Sequence, residues 1–232
     1  MTVRYKLMKG YKIMGIPVMV LGRSGSGKSA SLRNFKSDEI SVINVANKPL
    51  PFRSDIKPFN LNREATKRGV SRYALAQQML LRCSAKSIVI DDSQYLMAFD
   101  SFDRAKDVGY GKFTDIALNF EKLIEFVSNN LPDDKIVYFL HHCESNDMGE
   151  IKAKTIGKML DNQLTVEGLF SIVLYCTTDG KSHRFITQSD GKTSAKSPME
   201  MFTTNEIDND LKEVDKEIRN YYNMEVINDE KN

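Results

Sequence analysis

The stretch Ile16-Pro17-Val18-Met19-Val20-Leu21-Gly22-Arg23-Ser24-Gly25-Ser26-Gly27-Lys28-Ser29 decides the fold. Residues 16–21 are an unbroken apolar run bounded by glycine, the pattern of a strand buried on both faces. The next eight residues fit G-x-x-x-x-G-K-[ST] at every defined position, and the spacing predicts a helix over 28–35 behind them. A strand, a glycine-rich turn and a helix is the context that this motif needs. Glycines admit torsions that turn successive backbone N–H groups inward around a phosphate, and a helix N-terminus adds its positive end. The phosphate-binding candidates are therefore Gly22, Arg23, Ser24, Gly25, Ser26, Gly27, Lys28 and Ser29. Lys28 is expected to reach the outer phosphates of a nucleotide, and the Ser29 hydroxyl to ligate Mg²⁺.

Two further segments belong with it. Ser87-Ile88-Val89-Ile90-Asp91-Asp92 is an apolar strand that ends in acids, and Asp91 is the expected second Mg²⁺ residue, acting through water. Asp92 is either a base that polarises an attacking water, a strand-end cap or a solvated acid. A strand over 135–140 runs into His141-His142-Cys143-Glu144. In P-loop ATPases with a strand added between these two, a polar residue at this strand end senses the γ-phosphate, so His141 or His142 is the sensor candidate. A zinc set of His141, His142, Cys143 and His183 is disfavoured, because neighbours on a strand face opposite ways.

Outward from these motifs, short apolar runs alternate with amphipathic segments, which predicts an α/β domain with a mostly parallel central sheet flanked by helices. Strands are expected over 16–21, 40–45, 87–91, 135–140, 169–177 and 183–188, and further helices over 71–84 and 113–130. The last two strands, joined by Thr178-Asp179-Gly180-Lys181-Ser182, read as a C-terminal antiparallel hairpin. Ile207, Leu211, Val214, Ile218 and Tyr221 form one helical stripe, expected to pack on its own domain. With 232 residues, 41% of them hydrophobic, the chain supports one sizeable core and excludes disorder as its main state. Three scattered cysteines do not make a disulfide framework, and no early apolar run is long enough for a membrane span or signal segment, so a cytoplasmic location is expected.

The net charge of +2 hides an asymmetry: residues 205–232 hold nine Asp/Glu against four Lys/Arg. The expected organisation is a core over 1–204 and an acidic amphipathic helix and tail over 205–232. Such a tail can compete with nucleic acid for a basic surface. Its deletion is then expected to tighten single-strand binding at low salt.

Gly22–Ser29, Asn47-Lys48-Pro49-Leu50-Pro51-Phe52, Ile88–Asp92, Leu140-His141-His142 and Lys192-Thr193-Ser194-Ala195-Lys196 together resemble the bacteriophage RecA-like P-loop ATPases, a group that includes phage single-strand annealing proteins. The resemblance spans about residues 14 to 200. It implies a RecA-like core, Mg·ATP as ligand, single-stranded DNA as partner, and a homo-oligomer, ring or filament, at work in phage recombination or replication in the host cytoplasm. It also implies a basic residue supplied across subunits, and Lys192 and Lys196 match that position, with Arg184 a third candidate. One departure stands out. RecA-type enzymes carry a catalytic glutamate at the end of the second strand, whereas this chain reads Val45-Ala46-Asn47-Lys48. The DNA-contact candidates are the loop 102–113, which interleaves Phe102, Tyr110 and Phe113 with Arg104, Lys106 and Lys112, and the loop 146–160 with Lys152, Lys154 and Lys158. Two rivals remain: an ATP-driven switch that docks a partner, such as a helicase loader, and a small-molecule P-loop kinase.

Overall fold

In the computed structural model, which describes residues 15–109, 111–157 and 165–224, apolar runs became strands where both faces are covered. β1 (Ile16–Gly22), β2 (Ile40–Asn44), β4 (Ser87–Asp91) and β5 (Ile136–Ser145) are almost wholly buried until β5 leaves the sheet near Cys143. β3 (Phe59–Asn60) flanks β2, and β7 (Ile172–Thr178) flanks β1. The far edge is finished by β8 (His183–Ile186) and β9 (Glu206–Asp208), while β6 (Ile151–Ala153) pairs with the end of β5.

The order is β3-β2-β4-β5-β1-β7-β8-β9; β3 to β7 run parallel, and β8 is antiparallel to both its neighbours. This is a mixed α/β fold with a mostly parallel sheet, and β5 lies between the glycine-loop strand β1 and the acid-bearing strand β4. Register brings Gly22 beside His142 and Asn44 beside Asp91, so the motif residues meet at one edge of the sheet. From β1 the chain moves on to β2 on one side, and from β5 it crosses to β7 on the other. The site thus sits at the carboxyl ends of strands, where the strand order reverses.

Alternation along the strands divides the core into two layers. Met19, Leu21, Ile43, Ile90, Phe139 and Val173 pack beneath α1 (Leu61–Arg68), α2 (Arg72–Arg82), α3 (Tyr95–Asp103) and α4 (Gly111–Asn130). The five apolar positions expected to line α4, Ile116, Phe120, Leu123, Ile124 and Val127, are all buried there. Val18, Val20, Val42, Val89, Tyr138 and Leu174 face the other way, toward Leu32, Phe35 and α5 (Leu211–Tyr221).

Residues 205–224 are woven into this core. Ile207 pairs with Phe185 as part of β9, the Asp210 side chain caps α5 at the Lys212 N–H, and Leu211, Val214 and Ile218 are buried on the sheet. Tyr221, the last member of the expected stripe, is 41% exposed. At its far end α5 is fastened by a buried polar cluster: Asp215 Oδ1 accepts from Ser87 Oγ (2.7 Å) and Tyr138 OH (2.9 Å), and Asp215 Oδ2 from Arg219 Nε (2.6 Å). Residues 225–232 lie outside the described chain.

Three expectations need correction. The helix expected over 28–35 is a single 3-10 turn, Ser29–Leu32, where Ser31 Oγ takes the Lys28 carbonyl at 2.6 Å and closes the turn locally. The strand expected from 169 starts at Ile172, because Val166–Leu169 forms another such turn, and β8 ends at Ile186. The loop 102–113 is helical at both ends: Phe102 and Asp103 close α3 and Gly111 opens α4, with 104–109 between them as turn and loop.

Candidate functional site

The glycine loop is shaped by close approach as well as by torsion. A Cβ on Gly22 would meet the Cys176 carbonyl at 2.8 Å, and one on Gly27, at φ +102°, would lie 2.8 Å from the His183 ring. A side chain at either position would force its neighbour to move. The loop is fastened from the hairpin side: the Ser26 carbonyl accepts from Cys176 Sγ at 3.0 Å and lies 2.8 Å from His183 Nδ1, which donates to it. Asn209 Nδ2 in turn donates to Cys176 Sγ at 3.2 Å. Burial pushes the Cys176 thiol up to about 11, so it stays protonated and serves as donor.

Lys28 is folded over this loop, donating to the Gly22 carbonyl at 2.7 Å and the Arg23 carbonyl at 3.0 Å with 6% of its surface exposed. Burial lowers its ammonium below the ordinary lysine value, against the attraction of Asp92 and Asp91. Ser29 Oγ donates to Asp91 Oδ1 at 2.9 Å across β5. Burial, with Asp92 next in line, raises the Asp91 carboxyl, and the Ser29 hydroxyl offsets part of that rise. Because only a 3-10 turn follows the loop, little helix dipole acts here. The lysines that line the cavity are Lys28 and Lys48.

Asp92 opens the turn after β4 in the left-handed region, at φ +58°. Its Oδ2 is 2.7 Å from Lys48 Nζ and its Oδ1 accepts from His142 Nε2 at 3.0 Å. Burial works to raise this carboxyl, but the hydrogen bonds from His142 and Lys48 prevail and hold it below the usual range. The His142 N–H is itself fixed by Gln94 Oε1 at 3.0 Å.

Loop, acids and His142 face one cavity of about 430 Å³, lined also by Lys48, Pro49, Pro51 and His183. A larger cavity of about 590 Å³ lies at the opposite end of the sheet beside α5, where Lys212 and Glu39, and Arg219 and Asp215, neutralise each other. The smaller one has the convergent donors and paired acids that chemistry on an anion requires.

The two sensor candidates separate. His142 reaches the cavity, whereas His141 is fully buried on the other face of β5, its Nε2 donating to the Lys154 carbonyl (2.8 Å) and its Nδ1 accepting from Ser93 Oγ (2.9 Å). Burial drives the His141 pKa down to about 4, so it is neutral and serves the fold. Lys192 and Lys196 do not line the cavity: Lys192 sits on the exposed turn after Asp190, and the Lys196 backbone pairs with Val173. Arg184 is engaged with Glu206 at 3.0 Å and Asp208 at 3.8 Å. None of the three lines the cavity.

Of the DNA-contact candidates, Arg104 bridges Asp107 and Asp115, both at 2.9 Å, and Lys112 lies over the Phe113 ring. Phe102 and Val108 are strongly exposed beside them. Tyr110 and Lys158 lie outside the described residues, and Lys152 faces Glu144 at 3.6 Å. Among the described residues no three His, Cys, Asp or Glu side chains are grouped to hold a metal. Ser29 and Asp91 suit Mg²⁺ nonetheless, because that ion takes one or two protein oxygens and completes its shell with phosphate and water.

Sequence reasoning passed over Lys48 and His183 as cavity residues, and Gln94 as the acceptor that holds the His142 backbone N–H. Lys48 lies inside the quoted Lys-Pro-Leu-Pro-Phe stretch, but nothing in the local pattern shows that it meets Asp92, 44 positions away. No known family model matches the chain, and comparison with curated proteins likewise finds no match.

Proposed function

We propose that the chain is a RecA-like P-loop ATPase that binds Mg·ATP at the 22–29 loop and works on single-stranded DNA, in phage recombination or replication. The observation that carries the reading is Lys28 and Ser29 on a glycine loop, with Ser29 bonded to Asp91 from a strand one place removed. Lys28 would exchange its two carbonyl partners for outer phosphate oxygens, and the loop N–H groups would hold the β-phosphate. Ser29 and Asp91 would hold Mg²⁺, which when bound neutralises charge developing on the phosphates. His142 would register the terminal phosphate from the end of β5. In hydrolysis a water oxygen would bond to the terminal phosphorus as its bond to the bridging oxygen breaks, leaving ADP and inorganic phosphate. Asp92 would take the water's proton, since Asp91 is assigned to the metal.

The DNA partner is supported by exposed Phe102 and Val108 beside basic residues, and by a basic body over 1–204. A second reading, an ATP-driven switch with slow turnover, is favoured by the capture of Asp92 between Lys48 and His142 and by the acid-free stretch Val45-Ala46-Asn47-Lys48 where the family's glutamate is expected. The deciding experiment is ATP hydrolysis with and without single-stranded DNA, in the native protein and Lys28→Ala. DNA-stimulated turnover that the variant loses supports the motor. Nucleotide binding without turnover supports the switch, and binding that survives Lys28→Ala refutes both.

A further inference from the structure

We propose that Lys48 distinguishes a nucleoside triphosphate from a diphosphate, its ammonium passing from Asp92 to the terminal phosphate when that phosphate is present. The inference rests on the reading of the 22–29 loop as a nucleotide site. It begins with how Lys48 is held. The Asn44 side chain accepts from the Lys48 N–H at 3.3 Å and donates to the Lys48 carbonyl, and Asn47 turns the chain at φ +57°. Pro49 follows on the cavity wall. The backbone at Lys48 is thus set, while its side chain stays 55% exposed and free to choose among rotamers. Its contacts are one carboxylate oxygen and the face of the Tyr95 ring, 5.2 Å from Nζ to the centroid. Lys28, by comparison, is buried and bound to two loop carbonyls.

Charge then supplies the drive. The cavity already holds Asp91 and Asp92, and both act on Lys28 and on Lys48. A terminal phosphate adds further negative charge beside them, and a diphosphate leaves that place empty. The exposed Lys48 ammonium is the cation best able to follow the added charge; the other basic groups on the wall are Lys28, held by two loop carbonyls, His142 and His183. Its departure does not strand Asp92, because His142 Nε2 remains on Oδ1. It does open Oδ2 to water, so the carboxylate would become accessible only with a third phosphate in place. Discrimination and gating then share one residue, supplied within the chain from the loop after β2.

The test measures binding of Mg·ADP and of the Mg complex of a β,γ-imido ATP analogue to the full chain, in the native protein, Lys48→Met, Lys48→Arg, Asp92→Asn and Lys28→Ala. A lost charge-assisted contact predicts that Lys48→Met weakens the triphosphate analogue about tenfold or more and ADP less than about twofold. Lys48→Arg should restore most of the difference. Asp92→Asn removes the competitor for Lys48, so it should tighten the analogue several-fold more than ADP (an improvement that general damage to the fold cannot mimic). Equal weakening of both ligands by Lys48→Met, or an unchanged ratio in Asp92→Asn, overturns the proposal. Should the native protein bind neither ligand, or should Lys28→Ala bind both normally, the nucleotide reading itself fails, and the proposal with it.

Discussion

Replacing Arg219 by methionine isolates the cluster that pins α5 to the sheet. Arg219 gives Nε to Asp215 at 2.6 Å, one terminal nitrogen to Ser87 Oγ at 2.9 Å and the other to the Asp134 carbonyl at 2.9 Å. Methionine fills most of the volume but leaves Asp215, 7% exposed, as an uncompensated buried charge with only Ser87 and Tyr138 as donors. Breaking one side of such a pair costs about 3–5 kcal/mol. For a domain of this size that lowers the melting temperature by roughly 6–20 °C. Adding Asp215→Asn removes the charge while keeping an acceptor for Ser87 and Tyr138, so the double variant should regain about half of the loss. Urea unfolding followed by circular dichroism reads both values. A single variant within about 1 kcal/mol of the native protein, or a double variant worse than the single, would refute the claim that a buried charge needs its partner here.

Other outcomes follow from the same geometry. Deleting 205–232 should yield no folded protein, since burial of Leu211, Val214 and Ile218 is worth about 5–9 kcal/mol, comparable to a whole domain's stability; soluble, cooperative unfolding of that truncation would contradict the packing. The tail's influence on DNA is better read by deleting 225–232, with single-strand affinity expected to rise at low salt and a flat result ending the idea. Lys135 Nζ donates to the carbonyls of Cys83, Ser84 and Ala85 at 2.8, 3.2 and 2.7 Å, so Lys135→Met should cost about 2–3 kcal/mol in a urea titration. His141 has its folded pKa depressed to about 4, so the unfolded chain binds the extra proton between about pH 6.5 and 4. Stability should therefore fall across that window as pH drops, by about 3 kcal/mol, and His141→Gln should flatten the slope. Gly27→Ala should abolish nucleotide binding while leaving the melting temperature within a few degrees; full binding would show that the His183 ring moves aside without disturbing the loop.

How much was legible depends on how far apart the deciding residues stand. β4 came out at its sequence bounds, and β1, α2 and α4 within two or three residues, because a strand buried on both faces and a long amphipathic helix each repeat their signal several times. The expected helix after Lys28 is a 3-10 turn, since Ser31 offers the backbone a local hydrogen bond that competes with a helix. α3 was missed: it is nine residues long, has no capping side chain, and starts directly after the strained turn at Asp92. Within the site, motif spacing brought Lys28, Ser29 and Asp91 together on paper. The meetings of Lys48 with Asp92, and of His183 with Ser26 from 157 positions away, depend on strand order, which no local period records.

The double hold on the Ser26 carbonyl has a thermodynamic consequence. Fixing the backbone of one residue costs roughly 1–2 kcal/mol, and a glycine-rich loop left free would meet that cost anew each time an anion arrived. Here Cys176, His183 and, behind them, Asn209 settle the conformation when the chain folds. Arrival of a ligand is then an exchange of partners at groups already in position. Association should carry a small entropy penalty and be governed by ionic strength more than by temperature.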